Sequence, residues 1–439
     1  MCCGRRESTE PRCRCCSSAT STRARDLLLC PLDLSVSSLI TPRATADSIR
    51  SQGEWSAEAK IKSAVEILHQ YYEPAVVALD SSTPVERTQV YNSFAVFADA
   101  QYQESLKSAS EKRKRIVLFS KSVESREWQH RESSELDTVQ LSNIKISKAN
   151  ALAALAEDKR DLKEEEVTTK VLLERALENY AKGLIASDEN DNSILRFCAL
   201  WLAHSDDHDL NRDLIKKAVA DIPSRKFVFM IHQLSARLDK PATPTPFSEV
   251  ISSLVTRLCT DHPFHSLYQV FALRSALALT PAVPKKKSAR RSNTSSVVET
   301  KTPRAYAADD VFAIVKAVGP ESKVRVESLE ATCEAYIEWA GYELKEDPNF
   351  FTKTSRSFKK GPHQLPTSVR LRNHIKNLPI PPPTFDLPID PTCQYHNIPT
   401  IVGYLPTFRL AGGVNNPSII QCKTSDGIIH TELVRFSLL

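Results

Sequence analysis

Ile194-Leu-Arg-Phe-Cys-Ala-Leu-Trp-Leu202 sets bulky apolar residues at 194, 197, 198, 201 and 202. The i, i+3, i+4, i+7, i+8 spacing draws one stripe down an amphipathic helix. Upstream, Val167, Val171, Ala176, Leu177, Tyr180 and Leu184 draw a second stripe. Glu164, Glu165 and Glu166 precede it, and acidic residues suit the positive end of a helix dipole. Downstream, Thr245-Pro246 opens a third helix, with a capping hydroxyl and then proline in the first turn. Its stripe is Phe247, Ile251, Leu254 and Leu258. The helical period holds from Glu54 to about Ala278. It predicts many helices of ordinary length joined by short polar turns, an α-solenoid or layered array. No exact repeat of fixed period is present, which leaves a degenerate one open.

Composition agrees. The chain has 439 residues, 41% hydrophobic and 25% charged, enough for a sizeable core and two to four domains. Only 10 residues are glycine, and four of them (Gly403, Gly412, Gly413 and Gly427) lie after residue 400. A glycine-poor body with a glycine-bearing tail predicts helices first and hairpins after. No uninterrupted apolar run of about 18 residues predicts a transmembrane helix. A net charge of +5 excludes a nucleic-acid polycation. Six of the 11 cysteines crowd the first thirty positions. The other five read as reduced core thiols, mostly on helical stripes.

The pattern divides the chain. Residues 1–50 read as disordered or as a mispredicted start; the Cys13, Cys15, Cys16 spacing fits no common zinc site. Residues 51–280 are the helical array. Residues 281–304 are a basic, disordered linker, in which Lys285-Lys-Lys-Ser-Ala-Arg-Arg291 reads equally as a nuclear-import signal or a solvated loop. Residues 305–398 are a connector: helical to 343 along Leu329, Cys333, Tyr336, Ile337 and Ala340, then proline-rich and non-helical from Pro362 to Pro391. Residues 399–439 are a β segment, with strands at Thr407–Leu410, Ser418–Cys422 and Ile428–Val434. Ser425-Asp-Gly427 is the turn of a hairpin.

Three constellations carry candidate chemistry. Leu410, Ala411, Gly412, Gly413, Val414, Asn415 and Asn416 join two strands, and adjacent glycines let backbone N–H groups approach a phosphate. By spacing alone the loop reads as a plain hairpin turn, being neither GxGxxG nor a P-loop. His204 with His208, and His262 with His265, each follow a helical stripe, where satisfied or solvated polar turns belong; no metal site is assigned. No catalytic residue is assigned either, since no nucleophile elbow, CxxC pair or HExxH occurs.

Longer strings go further. Phe408-Arg-Leu-Ala-Gly-Gly-Val-Asn-Asn-Pro-Ser-Ile-Ile420 with Ser425-Asp-Gly427 resembles the start of the kinase domain in ATM-type phosphatidylinositol 3-kinase-related protein kinases and their fungal telomere-maintenance homologues. Ile222-Pro-Ser-Arg-Lys-Phe227, Gln233-Leu-Ser-Ala-Arg237, Cys259-Thr-Asp-His-Pro-Phe-His-Ser-Leu267 and Ala272-Leu273 resemble the C-terminal part of that family's FAT domain. Arg196-Phe-Cys-Ala-Leu-Trp-Leu202, Glu54-Trp55, Tyr72-Glu-Pro-Ala75, Asp99-Ala-Gln-Tyr102 and Glu330-Ala-Thr-Cys-Glu-Ala-Tyr336 match in the family's order, so the resemblance covers about residues 50 to 434.

The resemblance implies a mainly α fold: an α-solenoid of FAT repeats followed by a short β segment of the kinase N-lobe. It implies a nuclear serine/threonine kinase that uses ATP and Mg on Ser/Thr-Gln sites, in double-strand-break signalling and telomere maintenance. Implied partners are the rest of the kinase, a break-sensor complex and a second copy, with no membrane contact and only indirect contact with nucleic acid. Leu410 to Asn416 correspond to the nucleotide-covering loop. The family's phosphate-pairing lysine falls at Arg435, and arginine's planar fork does not replace a point-charge lysine freely. The family's catalytic loop, metal-binding motif and FATC tail fall beyond Leu439. These departures imply that the chain alone is an inactive scaffold that binds neither ATP nor Mg well. They point to a truncated or mis-spliced gene model. The alternative reading is a stand-alone α-solenoid for protein interaction.

Overall fold

The computed structural model describes residues 45–132, 138–275, 301–354, 357–412 and 417–435. The expectations for the cysteine-rich start and the basic linker fall on 1–44 and 276–300, outside the described residues.

The first helices are short: α1 (Ala46–Glu58), α2 (Ala64–Ile67), a π-helical stretch Leu68–Tyr72, α3 (Glu73–Val77) and a 3-10 turn Ala78–Ser81. Two long helices follow, α4 (Pro84–Glu132) and α5 (Thr138–Ala186), each of 49 residues. They run antiparallel: Thr88 meets Gly183, while Lys112 meets Glu165 and Arg115 meets Asp158 further along. This corrects the expectation of ordinary helix lengths. Glu164, Glu165 and Glu166 lie mid-helix and do not serve a dipole. Glu165 accepts from Ser105 and Lys112, and Glu166 from Arg113. The apolar stripe is also shifted. Val167 is 68% exposed and Val171 is exposed too, whereas Leu172, Leu173, Ala176, Leu177, Tyr180 and Leu184 are buried against Phe94, Ala98 and Tyr102.

Past α5 the helices shorten: α6 (Ser193–Ala203), a π-helical stretch Leu210–Ile215, α7 (Lys216–Asp221), a 3-10 stretch Ser224–Met230, α8 (Ile231–Ser235), α9 (Pro246–Asp261) and α10 (Pro263–Ser275). The α6 stripe is as read, with Ile194, Phe197, Cys198 and Trp201 buried. At α9 the capping box closes between Thr245 and Ser248, which satisfies two N–H groups left open by the first turn. After α11 (Pro303–Ala317), Gly319-Pro320 breaks the helix before α12 (Pro320–Ala340).

The tail is a small curled antiparallel sheet. β1 (Phe351–Thr352) pairs with β2 (Ser357–Phe358) alone. β3 (His363–Gln364), a single helical turn α13 (Arg370–Asn373) and β4 (Lys376–Leu378) precede β5 (Ile401–Tyr404), β6 (Thr407–Leu410), β7 (Ser418–Thr424) and β8 (Ile429–Val434). The sheet runs β3-β6-β7-β5-β4, with β8 along the other side of β7. The prolines predict a non-helical stretch from Pro362 to Pro391, yet the single turn α13 forms inside it, in a proline-free run, together with β3 and β4; the stretch around Pro379, Pro381, Pro382 and Pro383 has no regular helix. One hydrophobic core runs from Ile67 through the helices to Val434, so the sheet is packed on the helical body.

Candidate functional site

The sheet presents one end at which three strands finish together. Leu410 of β6 stands opposite Ser418 of β7, and Ser418 opposite Val434 of β8. The glycine loop leaves from Leu410 and returns at Pro417, and Arg435 follows Val434. Ala411 donates its N–H to the Pro417 carbonyl at 2.9 Å, extending the ladder by one step. Gly412 has φ +81°, and a Cβ there would meet nothing within 4 Å. The loop therefore opens with a left-handed residue and uncrowded backbone, the requirement for close approach to an anion. Leu410, Ala411 and Gly412 are placed; Gly413, Val414, Asn415 and Asn416 lie outside the described residues. Arg435 is exposed. By strand alternation it falls on the face of exposed Ile429 and Leu433. An open glycine backbone and a cation thus share one end of the sheet, beside an apolar strand face.

Acidic metal ligands are missing from this end among the described residues. Between 417 and 435 the carboxylates are Asp426 and Glu432. Asp426 caps the opposite turn, accepting from Thr424 Oγ1 at 2.6 Å and Ile428 N at 3.1 Å. Glu432 points inward. It accepts from the Thr384 hydroxyl at 3.0 Å, the Tyr404 hydroxyl at 3.3 Å and the Tyr336 hydroxyl. Burial pushes its carboxyl up to about 7, against the pull of three hydroxyl donors, which favour the charged form.

Helix α12 holds this end from beneath. Trp339 Nε1 donates to Ser418 Oγ at 2.8 Å, and Ser418 Oγ donates to the Val434 carbonyl at 3.3 Å. The indole also meets the Phe408 ring edge-on at 4.9 Å. Phe408 is enclosed by Phe350 and His363 as well. The residue strings placed Tyr336, Ser418 and Glu432 in regular elements but gave no role at this site to them or to Trp339, Tyr404 or Thr384. The available signal was slight: Tyr336 and Trp339 are three apart and so share a helix face.

The histidine pairs are satisfied turns. His204 Nδ1 donates to the Leu200 carbonyl at 2.8 Å and Nε2 accepts from Tyr102 at 2.9 Å; His208 is exposed. His265 Nε2 donates to the Leu387 carbonyl at 2.8 Å, which fixes its tautomer. Tyr395 then donates to His265 Nδ1 at 3.3 Å and accepts from His262 Nδ1 at 2.5 Å. His262 Nε2 is left to accept from Ser224 at 3.1 Å. Burial lowers the His262 imidazole to about 4, so it stays neutral. Cys198, Cys259 and Cys422 are buried free thiols, and Cys333 and Cys393 are half-buried. Burial pushes Cys198 and Cys333 up to about 12.

No protein-family profile matches the chain. The chain is 29% identical over 397 residues to serine/threonine-protein kinase tel1 of Emericella nidulans, covering 88% of this chain and 13% of that kinase. It is 29% identical over 408 residues to serine-protein kinase ATM of Sus scrofa, covering 89% and 12%. Among solved structures, the open conformation of CtTel1 superposes with a TM-score of 0.69 at 26% identity, over 91% of this chain and 14% of that one. The FAT and kinase domain of CtTel1 gives 0.67 at 25%, over 91% and 25%. The chain therefore spans about an eighth of the length of the curated relatives it matches. It is a homologue of the ATM and Tel1 serine/threonine-protein kinases, and its helices and sheet correspond to CtTel1's FAT and kinase-domain region.

Proposed function

We propose that this chain is the helical scaffold and nucleotide-covering sheet of an ATM-like serine/threonine kinase. The whole kinase phosphorylates Ser/Thr-Gln sites in the nucleus, in double-strand-break signalling and telomere maintenance. The observation that carries the reading is the convergence of Leu410–Gly412 with Arg435 at one end of β6, β7 and β8. ATP, when bound, supplies the phosphoryl group. The open backbone at Gly412 would approach its phosphates, Arg435 would offset their charge from β8, and the apolar β8 face of Ile429 and Leu433 would keep water from the base. No step is assigned to magnesium, because the carboxylates Asp426 and Glu432 are both engaged elsewhere. The chain alone is accordingly inert toward a protein hydroxyl, since transfer needs metal ligands and a residue to orient the nucleophile.

Its partners, on this reading, are the rest of the kinase, a break-sensor complex and a second copy; a CtTel1 dimer with C2 symmetry has been solved. Hydrogen exchange with and without millimolar ATP tests the proposal. Protection is expected at 410–418 and 429–435 alone, with no phosphate transferred to a Ser-Gln peptide. Transfer by this chain, or protection confined to the helical body, overturns it.

A stand-alone interaction module is the second reading, favoured by exposed Val117, Leu118 and Ile146 on the long hairpin. Finding only a much longer polypeptide in cells decides against it.

A further inference from the structure

One helix face contacts every strand that ends at the loop. Trp339 packs edge-on against Phe408, two residues before the loop leaves β6. It donates to Ser418, the first residue of β7 after the loop, and Ser418 passes the contact to the Val434 carbonyl, next to Arg435. Both the indole and Ser418 are buried, so water does not compete for these bonds. One turn earlier on the same face, Tyr336 donates to Glu432 of β8 and lies 2.6 Å from the Tyr404 hydroxyl, at the end of β5. Glu432 is held from the proline-rich side by Thr384. Four strands are thereby tied to two residues of α12, and the residues they fix are Leu410, Ala411, Gly412 and Arg435.

We infer that Trp339 and Tyr336 are positioning residues for the nucleotide loop, coupling the placement of Gly412 and Arg435 to the last helix of the helical body. The inference rests on the nucleotide reading given above. Among the described residues, neither side chain hydrogen-bonds Leu410, Ala411, Gly412 or Arg435. They act through Ser418 and Glu432, so that a shift of α12 moves both jaws of the site at once. The helical body then tunes nucleotide affinity without contributing an atom to the nucleotide.

The test is hydrogen exchange on the full chain, first without nucleotide. Trp339→Phe keeps a ring against Phe408 and loses the N–H donor; Ser418→Ala loses the acceptor and leaves the aromatic core intact. Each is expected to speed exchange at 408–412, 417–420 and 433–435 by about tenfold. Exchange in α4, α5 and α9 stays at the wild-type rate. The double variant is expected to be no faster than Ser418→Ala alone, because Ser418→Ala already removes the one bond that Trp339→Phe removes, together with the bond to the Val434 carbonyl. Ser418→Thr, which keeps the hydroxyl, restores the slow rate. Unchanged exchange in Ser418→Ala, or effects of the two variants that add, overturns the inference. ATP is then added: the concentration giving half-protection is expected to rise about threefold in Ser418→Ala at an unchanged melting temperature. Coupling without any ATP protection in the wild type sinks the nucleotide reading alone, whereas ATP protection without coupling sinks only the positioning role.

Discussion

Arg196 reaches from α6 to Asp99 on α4, its Nε and Nη2 lying 2.5 and 2.6 Å from the two carboxylate oxygens. Tyr180 of α5 donates to the same carboxylate at 3.2 Å. Asp99 is buried and ties three helices together. Asp99→Asn is expected to lower stability by about 1–3 kcal/mol in urea unfolding, less than a fully buried pair because Arg196 is 41% exposed. Arg196→Gln should cost a similar amount, and the double variant little more. Costs that simply add mean that the fork is not a unit.

Trp201 has no exposed surface and donates from Nε1 to Asn211 Oδ1 at 2.8 Å. Trp201→Ala opens a cavity and strips Asn211 of a partner, for an expected loss of about 3–5 kcal/mol. The check is the chemical denaturation midpoint; an unchanged midpoint puts the core elsewhere.

Two buried groups give opposite pH dependences. Glu432 is raised from 4.5 to about 7. The native state then holds a proton that the unfolded chain gives up, so stability falls as pH rises from 4.5 to 7. His262 is lowered from 6.5 to about 4. The unfolded chain binds the proton first, so stability falls as pH drops from 6.5 to 4. Between pH 4.5 and 6.5 the two trends oppose, each at about 1.4 kcal/mol per pH unit. Relative to wild type, Glu432→Gln should therefore gain stability as pH rises through this window and His262→Gln should lose it. Parallel stability–pH curves for all three proteins refute both assignments.

Gly412 and Gly427 have φ of +81° and +85°, with open space where a Cβ would point. Alanine at either position is expected to cost about 1 kcal/mol through backbone strain alone. Only Gly412→Ala should also weaken ATP protection of the strand ends, since Gly427 lies in the opposite turn. Equal effects on ATP protection remove Gly412 from the site.

How much of this was legible in the residues depended on range. The period at 194–202, the cap at Thr245 and the turn at 425–427 are local signals, and each element formed there. Local rules also misled. Glu164, Glu165 and Glu166 look like a helix start, yet Glu165 and Glu166 pair with Lys112 and Arg113, more than fifty residues away on α4. Val167 and Val171 fit the helical period, but α4 covers the neighbouring face of α5. Strands β3 and β4 are two and three residues long, too short to show an alternation. At the site, the glycines and Arg435 were visible as strings. Trp339 and Ser418 were not, because they are 79 residues apart and each is unremarkable alone.

The long hairpin has a mechanical consequence. At 1.5 Å per residue, a helix of 49 residues is about 74 Å long. The ends near Thr88 and Gly183 are seated against the helical body, where Ser193 of α6 donates to Asn92 and Lys226 grips the Ser187 carbonyl. That seat extends along α4 as far as Tyr102, bonded to His204, so about 45 Å of helix projects beyond it and a tilt of one degree carries the far end through nearly an ångström. The pair of helices is a lever arm. Anything that grasps its distant end works with a mechanical advantage over the packing at its root.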